Sequence, residues 1–209
     1  MGINDLWNLE NLAEWRQALV RYWSRPSVQS NLKLECLISH LDLRWIRGLK
    51  KHDWYDFLHD QYFPWKYTEC NRLATTRAQL EQYNPDHLGE LFAIKQHLFE
   101  FHLADVREGL RIAQSVKGLG PAGASGLLAV LFPKYFGTVD QFVVQALAQV
   151  QCLAERPQIL QMQPENLEPN AAILLISIMR RKANELNALF GGDEWTPRKI
   201  DMILWASRE

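Results

Sequence analysis

Residues 116–144 read VKGLGPAGASGLLAVLFPKYFGTVDQFVV, and this stretch joins backbone-permissive residues to one placed carboxylate. Gly118 and Gly120 flank Leu119, and two glycines in a tight turn let the chain take positive φ and bring its amides close to another molecule. Pro121 follows where a first helical residue loses nothing by lacking an N–H. Ala122, Ala124, Leu127, Leu128, Val130 and Leu131 then continue as an apolar helix. Bare amides and a helix N-terminus therefore coincide, and an anion such as phosphate suits that combination. Upstream, Leu103, Val106, Leu110, Ala113 and Val116 recur at helical spacing. The glycine turn thus joins two helices, a helix-hairpin-helix pattern over residues 103–131.

The second half of the stretch supplies the acid. Pro133 and Gly137 mark a loop, and Phe142, Val143, Ala146, Leu147 and Val150 have the spacing of another helix. Asp140 lies at or just before that helix start. An ordinary N-cap accounts for it when it is taken alone; its distance from the glycine turn is what adds a chemical reading.

Residues 116–140, VKGLGPAGASGLLAVLFPKYFGTVD, resemble the helix-hairpin-helix and Gly/Pro-rich loop plus aspartate signature (HhH-GPD) of DNA glycosylases related to endonuclease III and 8-oxoguanine glycosylase; the spacing from Ala124 to Asp140 is similar as well. The resemblance implies that Gly118, Leu119, Gly120 and Ala122, with Lys117 beside them, grip DNA phosphate, and that Asp140 is the catalytic carboxylate serving the sugar's anomeric carbon. It implies an all-α fold of two helical lobes: one of about residues 30–133, including the hairpin at 103–131, the other of about residues 1–29 plus 134–209. Duplex DNA with a damaged base would lie between them, and hairpin carbonyls would hold a monovalent cation. One departure restricts the chemistry. Ala122 stands where bifunctional relatives carry a nucleophilic lysine, and alanine forms no Schiff base. Gln145 also replaces an arginine often found after the family's aspartate. The implied activity is therefore monofunctional: a damaged base is removed by Asp140 and water, with no lyase step. A non-catalytic module that binds nucleic acid or another protein on the same fold is the alternative.

Composition bounds these readings. The chain has 209 residues and is 47% hydrophobic, enough for one substantial core or two small lobes. A net charge of −1 announces no global basic field, which counts mildly against a nucleic-acid partner unless cations such as Lys117 and Lys134 share a face. Cys36, Cys70 and Cys152 are far apart and form no CxxC pair, which suits a reducing cytoplasm. No cysteine follows Cys152, so the iron–sulfur cluster that some endonuclease III relatives carry near the C-terminus is not expected. The start, MGINDLWNLENLAEW, reads as no secretory signal, and no segment reaches membrane-span length without charges.

Elsewhere the spacing is helical throughout. Leu12 to Tyr22 reads as a helix that Pro26 closes, Leu32 to Leu49 as more helix, Asn71 to Tyr83, Leu88 to Phe101 and Asn170 to Phe190 as further helices, with Asn84-Pro85-Asp86 a turn. Gly191-Gly192 ends the longest helix, and Thr196-Pro197 opens the last. His52, Asp56 and His59 share a helix face but have no recognised metal spacing, so no metal site is expected. In QYFPWKYTEC, Pro64 reads as a helix breaker, and Tyr62, Phe63, Trp65 and Tyr67 surround Lys66. Such a cluster either anchors a loop in the core or lines a base pocket, with Trp65 and Lys66 as the pocket candidates.

Overall fold

A computed structural model describes residues 1–83 and 87–208. Among the described residues all regular structure is helical: α1 (Ile3–Trp7), α2 (Leu12–Trp23), α3 (Pro26–Gln29), α4 (Leu32–Ser39), α5 (Leu43–Gly48), α6 (Lys51–Asp56), a π-helical segment (Phe57–Tyr62), α7 (Phe63–Lys66), α8 (Cys70–Leu80), a 3₁₀ turn (Glu81–Tyr83), α9 (Leu88–Leu98), α10 (Val106–Gln114), α11 (Pro121–Leu131), α12 (Gln141–Ala148), α13 (Arg156–Ile159), α14 (Pro169–Phe190) and α15 (Pro197–Ala206). The all-α expectation holds. No helix among these residues is long and apolar enough to cross a membrane. The Asn84-Pro85-Asp86 turn lies outside the described residues.

The helices enclose one continuous core that runs from Ile3 to Leu204. Its axis is α11, in which every residue from Gly123 to Leu131 is buried. A helix apolar on all sides belongs in the middle of a fold, and α10, α14 and α15 all pack against it. The first turns of α11 are built from Gly123, Ala124, Ser125 and Gly126, and large side chains press into the space this leaves. A Cβ on Gly126 would stand 2.8 Å from the Tyr62 hydroxyl, and one on Gly123 would collide with that of Tyr67.

Three local expectations are corrected. The helical stretch read over Leu32 to Leu49 is interrupted between α4 and α5, because Asp42 turns its carboxylate onto the amides of Arg44 and Trp45, at 2.8 and 3.4 Å, and starts α5 afresh. Pro26 opens the short α3 as well as following α2. Pro64 does not break its helix: α6, the π segment and α7 run on from residue 51 to 66.

The physical reason for the last lies in the wider π turn, where each N–H reaches back five residues; Phe63 N–H donates to Leu58 O in this way. Pro64 has no N–H to give the next carbonyl, His59. Arg77 of α8 gives two instead, from Nε at 3.1 Å and Nη2 at 2.8 Å. Arg77→Ala is expected to lower stability by about 1–3 kcal/mol, the cost of leaving a part-buried acceptor unpaired. In urea unfolding the loss should shrink when Pro64→Ala is combined with it, because the restored N–H can then reach the carbonyl; an unchanged loss would mean that Arg77 acts by packing alone.

Candidate functional site

The turn between α10 and α11 is braced by three tyrosines. Tyr83 Oη donates to Ser115 O at 2.9 Å and accepts the Lys117 amide at 3.2 Å. Tyr67 Oη donates to Gly118 O at 3.2 Å, and Tyr62 Oη donates to Gly123 O. Gly118 has φ +91°, and a Cβ there would meet Thr76 O at 2.7 Å, so the turn requires glycine at this position.

This bracing occupies carbonyls and leaves amides open. The N–H groups of Gly118, Gly120, Ala122 and Gly123 find no partner among the described residues, and Ala124 N–H is the first of α11 to bond back, to Gly120 O at 2.8 Å. Four unpaired donors at the start of an eleven-residue helix, that of Gly123 in a buried residue beside the Tyr67 hydroxyl, give positive potential and no formal charge. Leu119 and Lys117 are placed differently. Leu119 has a buried side chain, and its amide bonds to Val116 O at 3.1 Å. The Lys117 ammonium sits 4.7 Å above the Tyr83 ring. The carbonyls of Val116, Gly118 and Gly120 each accept one bond from within the chain.

Asp140 caps α12. Its Oδ1 accepts from Phe142 N–H at 3.0 Å and Val143 N–H at 3.1 Å, whereas Oδ2 has no partner among the described residues. One oxygen fixes the carboxylate, and the other is paired with no group of the protein among the described residues. The loop ahead of it is pinned at each residue. Gly137 packs beneath Pro197 O and Met179, Thr138 N–H donates to Asp201 Oδ2 at 2.6 Å, and Val139 N–H donates to Ser125 Oγ at 2.9 Å. Ser125 Oγ in turn donates to Ala122 O at 2.9 Å. A short chain of bonds therefore ties Asp140 to the open first turn of α11.

Behind Asp140 lies a buried ionic network. Arg198 donates to Asp201 Oδ1 at 2.5 Å and to Glu35 Oε1 at 3.4 Å. Tyr22 Oη and Trp65 Nε1 donate to the two Glu35 oxygens, both at 2.7 Å. Burial pushes the Asp201 carboxyl up to about 7, against the pull of Arg198 and the Thr138 amide, and burial raises the Tyr22 hydroxyl likewise. Trp65 is thus part of the frame, with the Arg198 guanidinium 5.1 Å from its ring centre. Its neighbours Tyr62, Phe63 and Tyr67 are core residues. Lys66 is half-buried, and burial lowers its ammonium's pKa while Asp140 and Asp201 oppose the fall. Among the described residues no group of His, Cys, Asp and Glu is arranged to hold a metal ion; His59 instead pairs with Asp60 at 2.6 Å.

No family model matches the chain, and comparison with curated proteins and with solved structures gives no match either. The site is therefore read from its own geometry. Sequence reasoning singled out the turn, Asp140, Trp65 and Lys66, although it read Trp65 as a pocket candidate, whereas its indole is bonded to Glu35. It missed Ser125, Glu35, Arg198 and Asp201, although Asp201 carried a signal: a carboxylate beside Ile200, Ile203 and Leu204 in a buried stripe needs a partner, and Arg198 stands one turn earlier.

Arg198→Met should cost about 3–5 kcal/mol in denaturant unfolding, because it leaves two carboxylates buried without their cation; a loss below 1 kcal/mol would mean that water replaces the guanidinium. Asp201 adds a pH dependence. Its folded pKa lies above the unfolded value of about 4, so the folded state holds the extra proton, and its stabilising contribution is complete below the unfolded value and lost as pH rises through about 7. Asp201→Asn should flatten the stability profile across that window.

Proposed function

We propose that the chain is a DNA base-excision protein, a monofunctional glycosylase-like hydrolase that removes a damaged base through Asp140 without a Schiff-base lysine. The observation that carries this reading is the pairing of a carboxylate oxygen left free by its helix cap with the open amides of Gly118, Gly120, Ala122 and Gly123, the two joined through Ser125. Amides at a helix start suit a phosphate of the DNA backbone. A carboxylate nearby suits the positive charge that develops at the anomeric carbon when a glycosidic bond breaks.

On this reading α10, the glycine turn and α11 act as a helix-hairpin-helix that holds the strand while the damaged nucleotide leaves the stack. Asp140 Oδ2 faces C1′, stabilises the oxocarbenium-like transition state and takes a proton from the attacking water. Ala122 lends its amide only. The lobes of this reading meet where Glu35, Trp65 and Lys66, from residues 30–133, approach Tyr22, Asp140, Arg198 and Asp201, from the rest of the chain. The Arg198 network keeps that junction in register, which matters because a carboxylate displaced by an ångström loses much of its effect.

The test is base release from a panel of labelled duplexes, each with one damaged base, scored after alkali cleavage. Asp140→Asn is expected to keep the fold, since asparagine caps a helix as well as aspartate does, and to keep DNA affinity while release falls at least about 100-fold. Gly120→Asp should abolish a salt-sensitive affinity for duplex DNA, because it sets a negative charge among the amides. Undiminished release by Asp140→Asn would remove the carboxylate from the chemistry. No DNA affinity at low salt would instead make the fold a protein-interaction module.

A further inference from the structure

Lys66 and Lys95 both pack their stems into the protein interior, and they differ in one respect. Lys95 has its partners, with Nζ donating to Arg47 O at 2.8 Å and Leu49 O at 2.5 Å, which closes the end of α5. Lys66 forms no hydrogen bond or ion pair among the described residues, although it is half-buried. Its stem packs against the interior while Nζ stays in contact with solvent, so the charged end is held in place by packing and is paired with no protein group.

That position is shaped by α11. The Lys66 stem crosses the helix at Gly126, where a Cβ would lie 3.1 Å from Cδ and 3.4 Å from Cε. Tyr62, one turn earlier in the same helix, fills the other part of the notch and is fixed by its bond to Gly123 O. The charged groups that act on the Lys66 ammonium are Asp140 at the start of α12, Asp201 and Arg198 on α15, and Arg72 on α8. Gly126 adjoins Ser125, whose hydroxyl holds the Val139 amide beside Asp140, so the unpaired ammonium and the unpaired oxygen of Asp140 belong to one cluster, with no direct ion pair between them.

We propose that Lys66 is the acid that protonates the departing base, an inference that rests on the glycosylase reading of Asp140. As the bond from C1′ to the base nitrogen breaks, its electron pair goes to the base, and a Lys66 Nζ proton passes to a base nitrogen or oxygen. Water adds to C1′, its surplus proton goes to Asp140 and from there to solvent, and Lys66 recovers a proton from solvent. The step is a hydrolysis and needs no further reactant. The neighbouring carboxylates favour the charged form that donates, whereas a lysine acting as nucleophile must first be neutral. Burial also makes this ammonium a stronger acid than an exposed one.

The experiment is single-turnover base release from the same damaged-base duplexes across pH, for wild type, Lys66→Gln, Lys66→Arg and Asp140→Asn, with melting curves for each. The wild-type rate should fall as pH rises through the lowered lysine pKa. Lys66→Gln should slow release about 100-fold and lose that alkaline limb without losing its melting transition. Lys66→Arg, which keeps the charge but does not release its proton, should stay slow and show no alkaline limb, and a rate restored to that of wild type would overturn proton transfer in favour of charge alone. A Lys66→Gln rate and profile like wild type, beside an inactive Asp140→Asn, overturns the role of Lys66 alone. Borohydride trapping of wild type that disappears in Lys66→Gln overturns it in favour of a nucleophile. Silence of wild type on every duplex overturns the glycosylase reading and this inference with it.

Discussion

A helix buried on every side has to be small where its neighbours are large, and the site depends on how α11 meets that constraint. Gly123 and Gly126 admit the hydroxyls of Tyr67 and Tyr62 and the stem of Lys66. Ser125, between them, spends its hydroxyl on Ala122 O and Val139 N–H. These contacts fix three things at once: the shape of the glycine turn, the path of the loop to Asp140 and the direction of Lys66. A larger residue at any of these positions would be felt at all three, since packed interiors transmit strain and do not absorb it. The low side-chain volume of the first turns of α11 is thus the condition for the cluster around Asp140.

The second constraint is electrostatic. Glu35 and Asp201 share Arg198, and each carboxylate has a further donor, Tyr22 and Trp65 for one and the Thr138 amide for the other. Such a network gives little net stability, because desolvating three charges offsets most of their attraction. Directional bonds from α2, α4, α7 and α15 converge on it, however, so it sets relative positions that apolar contacts would leave free to slide. Its link to the site is the Thr138 amide, two residues before Asp140. An apolar replacement of equal volume could preserve the core and still lose that register.

Much of the site was legible in the sequence because its elements are local. Glycine at a positive-φ turn, proline at a first helical position and an aspartate before an apolar helix each have a short-range physical cause, and Gly118, Pro121 and Asp140 occupy those places. What stayed hidden is long-range. Pro64 carries the mark of a helix end, and only the approach of Arg77 to His59 O explains why the helix continues. Trp65 and Lys66 are adjacent in sequence and opposite in role, one held by Glu35 and the other unpaired, which no spacing rule distinguishes. Ser125 resembled any small residue in an apolar helix until Val139 N–H was seen to reach it.

Net charge is the observation that sits least easily with a nucleic-acid partner, and the geometry shows why it weighs little here. Formal charge counts side chains, 23 basic against 24 acidic. It omits the amides of Gly118, Gly120, Ala122 and Gly123, which present partial positive charge at a helix start. It also says nothing of where charges lie, since a pair such as Glu155 and Arg181, 2.6 Å apart, cancels in the count wherever it sits. A chain can thus be close to neutral overall and still offer an anion site built from backbone donors. Such a site would bind phosphate with a shallower salt dependence than a lysine-lined groove, since fewer cationic side chains displace counterions. On the proposed reading that trade suits a protein whose specificity comes from the base it extrudes, with backbone contacts serving mainly to hold the strand in place.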